Sequence, residues 1–354
     1  MTRNKEHNQK QEKYLVAGGA GFFGEILVKK LLSQNKLVRS FDLNNTNIKH
    51  PNLEVITGDV TNPRAVDQAT DGVDLVLHNI AQVPIAKDKE LFWSVNEGGT
   101  KNLLKSSLKH GVRHFIYTSS SAVYGAPEKN PVNEKTPPSP AEDYGRAKLA
   151  GELLCKEYIA KGLVCSIVRP RTILGMGRLG IFQILFEWIY KGLNIPVIDK
   201  GKNIYQFIHA KDLATACIAA AEKAEPNDYN IGAETYGTMY EVLESLILHS
   251  NSKSRIRSVS SRLIEAPMNL TSKLGVSPLG AYHALMYGKD MYFDIGVAKK
   301  ELQFKPIYSN NEMFIESYEW YCKNRGLILS GKLSGSKHQT AIKQKILRVV
   351  PYLI

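Results

Sequence analysis

Short apolar runs alternate with amphipathic stretches of helical period through the first half of the chain. Runs at 14–17, 37–41, 53–57, 74–78, 113–118 and 164–168 predict six strands. Between them lie segments such as Glu25 to about Ser33, where Ile26, Leu27, Leu31 and Leu32 recur at helical spacing. The longest predicted helix covers about 141–161. This alternation argues for the α/β class, with a Rossmann-type, doubly wound parallel sheet. In such sheets ligands bind outside the carboxyl ends of the strands. Beyond residue 178 helical stretches dominate, mixed with glycine, proline and aromatic residues, which predicts a smaller, mainly helical lobe packed on the first domain. The expected organisation is a flexible leader at 1–13, a dinucleotide-binding domain at 14–170, a substrate-binding lobe at 171–330 and a basic tail at 331–354.

The first strand runs straight into Gly18-Gly19-Ala20-Gly21-Phe22-Phe23-Gly24. Strand, glycine turn and helix in succession make a dinucleotide-binding turn. Gly18 permits the tight turn, Gly21 lets backbone approach a pyrophosphate, and Gly24 lets the helix pack on the strand, while the helix N-terminus faces the anion. The second strand ends at Asp42, where a carboxylate can accept hydrogen bonds from both adenosine ribose hydroxyls and repel a 2′-phosphate. NAD, not NADP, is therefore the expected cofactor. Arg39, two residues earlier, is expected to project elsewhere.

Of 17 tyrosines, only Tyr144 has a lysine, Lys148, four positions later. On a helix that spacing places both side chains on one face. A nearby ammonium is expected to pull the phenol down from its reference pKa of about 10 towards neutrality. A serine from Ser119-Ser120-Ser121, just upstream, can then hold the substrate oxygen during proton transfer.

Together these residues resemble the extended short-chain dehydrogenase/reductase family, the NAD-dependent epimerase/dehydratase group, over roughly residues 13 to 325. The Gly-x-x-Gly-x-x-Gly pattern is the form used by that family. Gly58-Asp59-Val60 looks like its adenine contact. Leu77-His78-Asn79-Ile80-Ala81 stands where the family often has His-Leu-Ala-Ala, so Asn79 and Ile80 are departures. Val95-Asn96-Glu97-Gly98-Gly99-Thr100 matches its structural asparagine motif, and Tyr117-Thr118-Ser119-Ser120-Ser121 its catalytic-serine strand. Arg169-Pro170 and Phe207-Ile208-His209 complete the series. The resemblance implies Ser120, Tyr144 and Lys148 as catalytic residues, with Ser119 and Ser121 as bystanders that hydrogen-bond locally. It implies NAD contacts at Gly18, Gly21, Phe22, Phe23, Gly24, Asp42, Asp59, Val60, Asn79, Ile80, Ala81, Asn96, Thr118, Tyr144, Lys148 and Pro170. Lys148 would also hold the nicotinamide ribose.

The substrate is less marked. Relatives acting on nucleotide sugars commonly carry asparagine where this chain has Thr172, and an arginine where it has Tyr205. Arg171 or Arg178 can substitute as phosphate grips, and can equally be structural. Substrate contacts are expected among Gln82, Ser120, Arg171, Thr172, Arg178 and Tyr205. The stretch Ser277 to Gly288, with Met291-Tyr292-Phe293-Asp294, resembles the corresponding part of the 3β-hydroxysteroid dehydrogenase branch. Its methionines and aromatics can either form an adaptable pocket for an apolar molecule or pack the lobe's core. His209 is expected to support the lobe, and His283 needs no catalytic role.

The chain has 354 residues, 43% hydrophobic and 23% charged, as a globular protein does. Four scattered cysteines read as reduced thiols in a cytoplasmic protein, with no metal-ligand spacing. No apolar run reaches the roughly 18 residues of a membrane span. The net charge of +12 is spread thinly and no nucleic-acid module appears, so nucleic acid is not an expected partner. Charge concentrates only in 332–354, where a basic amphipathic helix can lie on the inner membrane surface, cap the lobe or mediate self-association. A homodimer is the expected assembly. The reading is an NAD-dependent oxidoreductase acting on a secondary alcohol or ketone, in the manner of a 3β-hydroxysteroid dehydrogenase. Its alternatives are a nucleotide-sugar 4-epimerase that keeps NAD bound and a non-catalytic NAD-sensing protein. A dehydratase would carry an aspartate-glutamate pair where Ser121-Ala122 stands.

Overall fold

A computed structural model describes residues 11–82, 88–223, 225–260 and 288–331. The glycine turn joins β1 (Lys13–Ala17) to α1 (Phe22–Ser33), and β2 (Leu37–Asp42) returns beside β1. Then follow β3 (Leu53–Thr57), α2 (Pro63–Thr70), β4 (Leu75–His78), α3 (Lys89–Trp93), α4 (Thr100–Lys109), β5 (His114–Thr118), α5 (Asp143–Ile159) and β6 (Cys165–Pro170). All six strands expected from the apolar runs are present, with ends within a residue or two. β1, β4, β5 and β6 are almost entirely buried, as strands covered by helices on both faces must be.

The sheet has seven parallel strands in the order β10-β6-β5-β4-β1-β2-β3. Its seventh member comes from late in the chain. After β7 (Thr172–Leu174), α6 (Phe182–Tyr190) and β8 (Ile195–Ile198), strand β9 (Phe207–His209) leads into α7 (Ala210–Glu222) and β10 (Asp228–Ile231). Helix α7 packs its alanine-rich face with α1 in one apolar layer that includes Leu27, Val28, Leu31, Ala214, Cys217 and Ala221. The other layer, under α2, α4 and α5, includes Val66, Leu103, Leu104 and Cys155.

Of the remaining described elements, α8 (Met239–His249), β11 (Ile256–Val259) and the helix Asn310–Leu329 gather around a second core, while the short helix Gly296–Glu301 packs Ala298 into the α1–α7 layer of the sheet. Strand β11 pairs with β8 and β7 with β9, each pair parallel, so short strands accompany the expected helices. The lobe core is aromatic, built around Phe186, Phe207, Phe314 and Tyr321. Cys155, Cys165 and Cys217 are buried free thiols and Cys322 is partly buried. Among the described residues no helix is long and apolar enough to cross a membrane. The pocket segment 277–287, including His283, and the basic tail 332–354 lie outside the described residues.

Candidate active site

The glycine turn is shaped by contacts that tolerate no side chain. Gly18 has φ +87°, a left-handed conformation that favours glycine. A Cβ on Gly24 would lie 1.9 Å from the Gly18 carbonyl oxygen. Gly24 therefore serves closure of the turn onto its own helix, a tighter constraint than the expected packing on the strand. Among the described residues no side chain caps α1 at Gly21, and a helix N-terminus is an end that suits an anion. Asp42, at the end of β2, accepts from the Ala20 amide at 3.2 Å and the Asn44 amide at 3.0 Å. Arg39 turns away, onto Glu54 and the Ala69 and Asp71 carbonyls. A helix N-terminus, a close-packed glycine turn and a carboxylate at the next strand end suit a dinucleotide.

The neighbouring strand ends are held by side chains. Asn79, after β4, accepts from the Thr118 hydroxyl at 2.7 Å, tying β4 to β5. Buried Asn96 accepts from the Gln82 amide at 2.9 Å and donates to its carbonyl at 3.2 Å, fixing the backbone of Gln82. Asn102 donates to the Val60 carbonyl, and Asp59 accepts from the Thr61 amide. Ile80 backbone lines the Gly18 turn at 3.2 Å from where a Cβ would sit, with Ala81 following it. Pro170 ends β6, paired with Ile231.

Tyr144 and Lys148 occupy the first turns of α5, whose N-terminus is capped by Glu142 through the Tyr144 and Gly145 amides. Lys148 is buried and donates to the Thr118 carbonyl at 2.8 Å, 6.0 Å from the Tyr144 ring centre. Ser120 hydrogen-bonds Tyr144, so the three expected catalytic residues meet. Ser119 and Ser121 do more than bond locally. Ser119 donates to Glu152 at 2.6 Å and Ser121 accepts from Arg171 at 2.7 Å, both across the fold.

The electrostatics differ from the sequence expectation. Burial pushes the Tyr144 phenol above its ordinary value; Arg178 and the Ser120 hydrogen bond pull it back, and Glu142 adds to the rise. The opposing cation is thus Arg178, whose guanidinium also lies 5.5 Å from the Phe22 ring centre at the glycine turn. Lys148 is itself lowered to about 8 by burial, with the Glu152 charge working the other way. Its ammonium is tied to the Thr118 carbonyl, and burial, not a neighbouring cation, dominates the phenol.

Glu152 was missed in the sequence, although it stands four residues after Lys148 on the same helix face. It holds Arg169 through a two-pronged contact, and Arg169 also reaches Asp228 at 2.8 Å. On the lobe side Thr172 and Tyr205 share a hydrogen bond at 3.2 Å. Tyr205 and Phe293 rings lie 4.6 and 5.5 Å from the Arg171 guanidinium carbon. His209 bonds Glu316 at 2.7 Å and stacks on Tyr308, supporting the lobe. Met291 is fully buried beside Phe293, Tyr124 and Val132, and packs the core. An open depression lined by Gln206, Tyr236 and Phe293 includes none of Ser120, Tyr144 or Lys148. Among the described residues no cluster of His, Cys, Asp and Glu suits a metal ion.

Residues 14–232 match the model of the NAD dependent epimerase/dehydratase family. The chain is 54% identical over 341 residues to "Uncharacterized protein y4nG" of Sinorhizobium fredii, covering 96% of this chain and 86% of that one. It is 29% identical over 336 residues to a 3 beta-hydroxysteroid dehydrogenase/Delta 5-->4-isomerase of Mycobacterium tuberculosis, covering 87% and 90% of the two chains. The crystal structure of UDP-glucose 4-epimerase from Thermotoga maritima superposes with a TM-score of 0.73 at 21% identity, covering 88% of this chain and 99% of that one. That last likeness is one of fold.

Proposed function

The chain belongs to the NAD dependent epimerase/dehydratase family, and from that premise we propose that it is a dehydrogenase or reductase of a secondary alcohol on an apolar or amphipathic molecule. Tyr144 is the proton donor and acceptor at the substrate oxygen, and Ser120, bonded to it, orients that oxygen. Lys148, anchored on Thr118, holds the nicotinamide ribose. Gly18, Gly21, Phe22, Phe23 and Gly24 receive the pyrophosphate and Asp42 the adenosine ribose. NAD, when bound, supplies the hydride acceptor or donor. Burial keeps Tyr144 protonated in the resting protein, the state in which it donates during ketone reduction.

The observation that carries the substrate class is the Thr172–Tyr205 hydrogen bond, which occupies the two positions where nucleotide-sugar relatives place an amide and a guanidinium. A buried diphosphate needs charge-assisted donors to offset its desolvation, and a tyrosine–threonine pair offers none. The likeness along most of the chain to a 3 beta-hydroxysteroid dehydrogenase points the same way. Calorimetric titration with UDP-glucose and UDP-N-acetylglucosamine, beside NAD reduction with a panel of hydroxysteroids and long-chain hydroxy compounds, tests it. Reduction of NAD by a panel member with weak or no nucleotide-sugar binding is expected. Micromolar binding of either nucleotide sugar with no response to the panel would replace this reading by a 4-epimerase.

A further inference from the structure

Two arginines among the described residues are neutralised in the same way, through a two-pronged contact with one carboxylate. Arg169 donates Nε–H and Nη2–H to the two carboxylate oxygens of Glu152 at 2.8 and 2.7 Å. Arg325 does so to Glu187 at 2.8 and 2.8 Å. The Nε–Nη2 edge is the planar fork whose two parallel N–H bonds match a carboxylate.

Among the described residues, Arg171, two positions after Arg169, leaves that edge without a partner. It is 1% exposed; its Nη1 is used on Ser121 at 2.7 Å, and its Nε and Nη2 have no hydrogen-bond partner among the described residues. Among the described residues no carboxylate forms an ion pair with it. A buried guanidinium with two open donors is costly unless something completes it. Tyr205 and Phe293 supply ring contacts only, which leave in-plane donors unmet.

Position says what completes it. Ser121, which takes Nη1, directly follows Ser120, the partner of Tyr144. Thr172, the next residue in the chain, bonds Tyr205. The open edge therefore belongs to a group lodged between the serine turn and the lobe wall. Arg178 lies over the Phe22 ring at the glycine turn, whereas Arg171 lies against Tyr205 and Phe293.

We propose that Arg171 is the receptor for a carboxylate carried by the substrate, held through the Nε–Nη2 fork close to the reacting carbinol. This rests on the dehydrogenase reading above and narrows it: the amphipathic hydroxy substrate is a hydroxy acid. The buried guanidinium stays uncompensated until the acid binds, so the site selects the acid over its neutral ester.

Initial rates of NAD reduction with 3-hydroxytetradecanoate and its methyl ester test the selection. The wild-type protein should favour the acid at least about tenfold in kcat/KM, the usual scale of a charge-assisted bidentate contact. In Arg171→Gln and Arg171→Lys, which lose the charge or only the fork, that ratio should collapse towards one. An unchanged ratio in a folded variant overturns the proposal. Independently of turnover, the Arg171 Nε–H resonance of 15N-arginine-labelled protein, identified by its loss in Arg171→Lys, should move on titration with octanoate. A resonance unmoved by octanoate, or moved by inorganic phosphate alone, also overturns it. Failure to oxidise either compound while octanoate moves the resonance would strike the dehydrogenase reading and leave the carboxylate site standing.

Discussion

At the scale of single residues, the site is governed by where each charge is buried. Lys148 enters the folded state with its pKa lowered to about 8 from 10.5 by burial. The folded protein therefore binds a proton there less readily than the unfolded chain does. Below pH 8 both states are protonated and the full cost is present; it fades as pH rises from 8 to 10.5, where the folded group loses its proton first. Lys148→Met should thus raise the stability of the cofactor-free protein at pH 7, by on the order of 3 kcal/mol at most, and by much less at pH 10. Urea unfolding at the two pH values checks this, and equal effects at both would remove the charge from the account. NAD affinity and turnover should fall in the same variant.

Tyr144 carries a different signature. Tyr144→Phe should reduce turnover by at least about 100-fold, the scale of a lost acid/base group, with NAD binding nearly intact. Arg178→Met should leave the chemistry in place and move the basic-form limb of the kcat/KM profile for alcohol oxidation to higher pH. The reason is that Arg178 is the cation opposing the burial-driven rise of the phenol. An unshifted profile would return that role to another group.

At the scale of elements, the cofactor turn is a joint product of β1, α1 and β2. Asp42 reaches back to the Ala20 amide, so the carboxylate that would select the ribose also braces the turn. Asp42→Ser should weaken NAD and narrow its advantage over NADP in parallel titrations, because the hydroxyls lose an acceptor and a 2′-phosphate loses a repulsive neighbour. A parent protein that already prefers NADP would contradict the assignment. The turn itself was legible from residue order, since a strand, spaced glycines and a helix form a local unit. What residue order did not convey is that Gly24 is constrained by the Gly18 carbonyl, because only the folded turn brings those two atoms together.

At the scale of the whole molecule, Arg169 joins three elements that are distant in sequence. From β6 it grips Glu152 on α5 and Asp228 on β10. Removing one partner of a buried pair leaves the other charge uncompensated. Arg169→Met should therefore destabilise the protein by roughly 3–5 kcal/mol, read as a lower midpoint in urea. A change under about 1 kcal/mol would mean that water replaces the pair, as at exposed sites. The same network keeps β6 and β10 beside each other at the sheet edge, and with them the backbone of Arg171, whose amide donates to the Ile231 carbonyl at 2.8 Å.

Sequence alone determined the strand order in the chain, the parallel α/β class, the glycine turn, Asp42 and the Tyr144–Lys148 pair. Each is written in spacing within one element or in adjacent elements, where periodicity and turn chemistry act locally. Tertiary structure decided the rest. It brought β10 back to the edge of the sheet and spread the three serines of one turn among Tyr144, Glu152 and Arg171. It also set Lys148 on Thr118 while Arg178 came up to the phenol, reversing the expected source of its tuning. Arg169 and Arg171 read alike on the page, and only folding shows one fork filled and the other open. The physical reason is common to all of these: burial and pairing depend on what approaches from remote parts of the chain, and no local pattern records that.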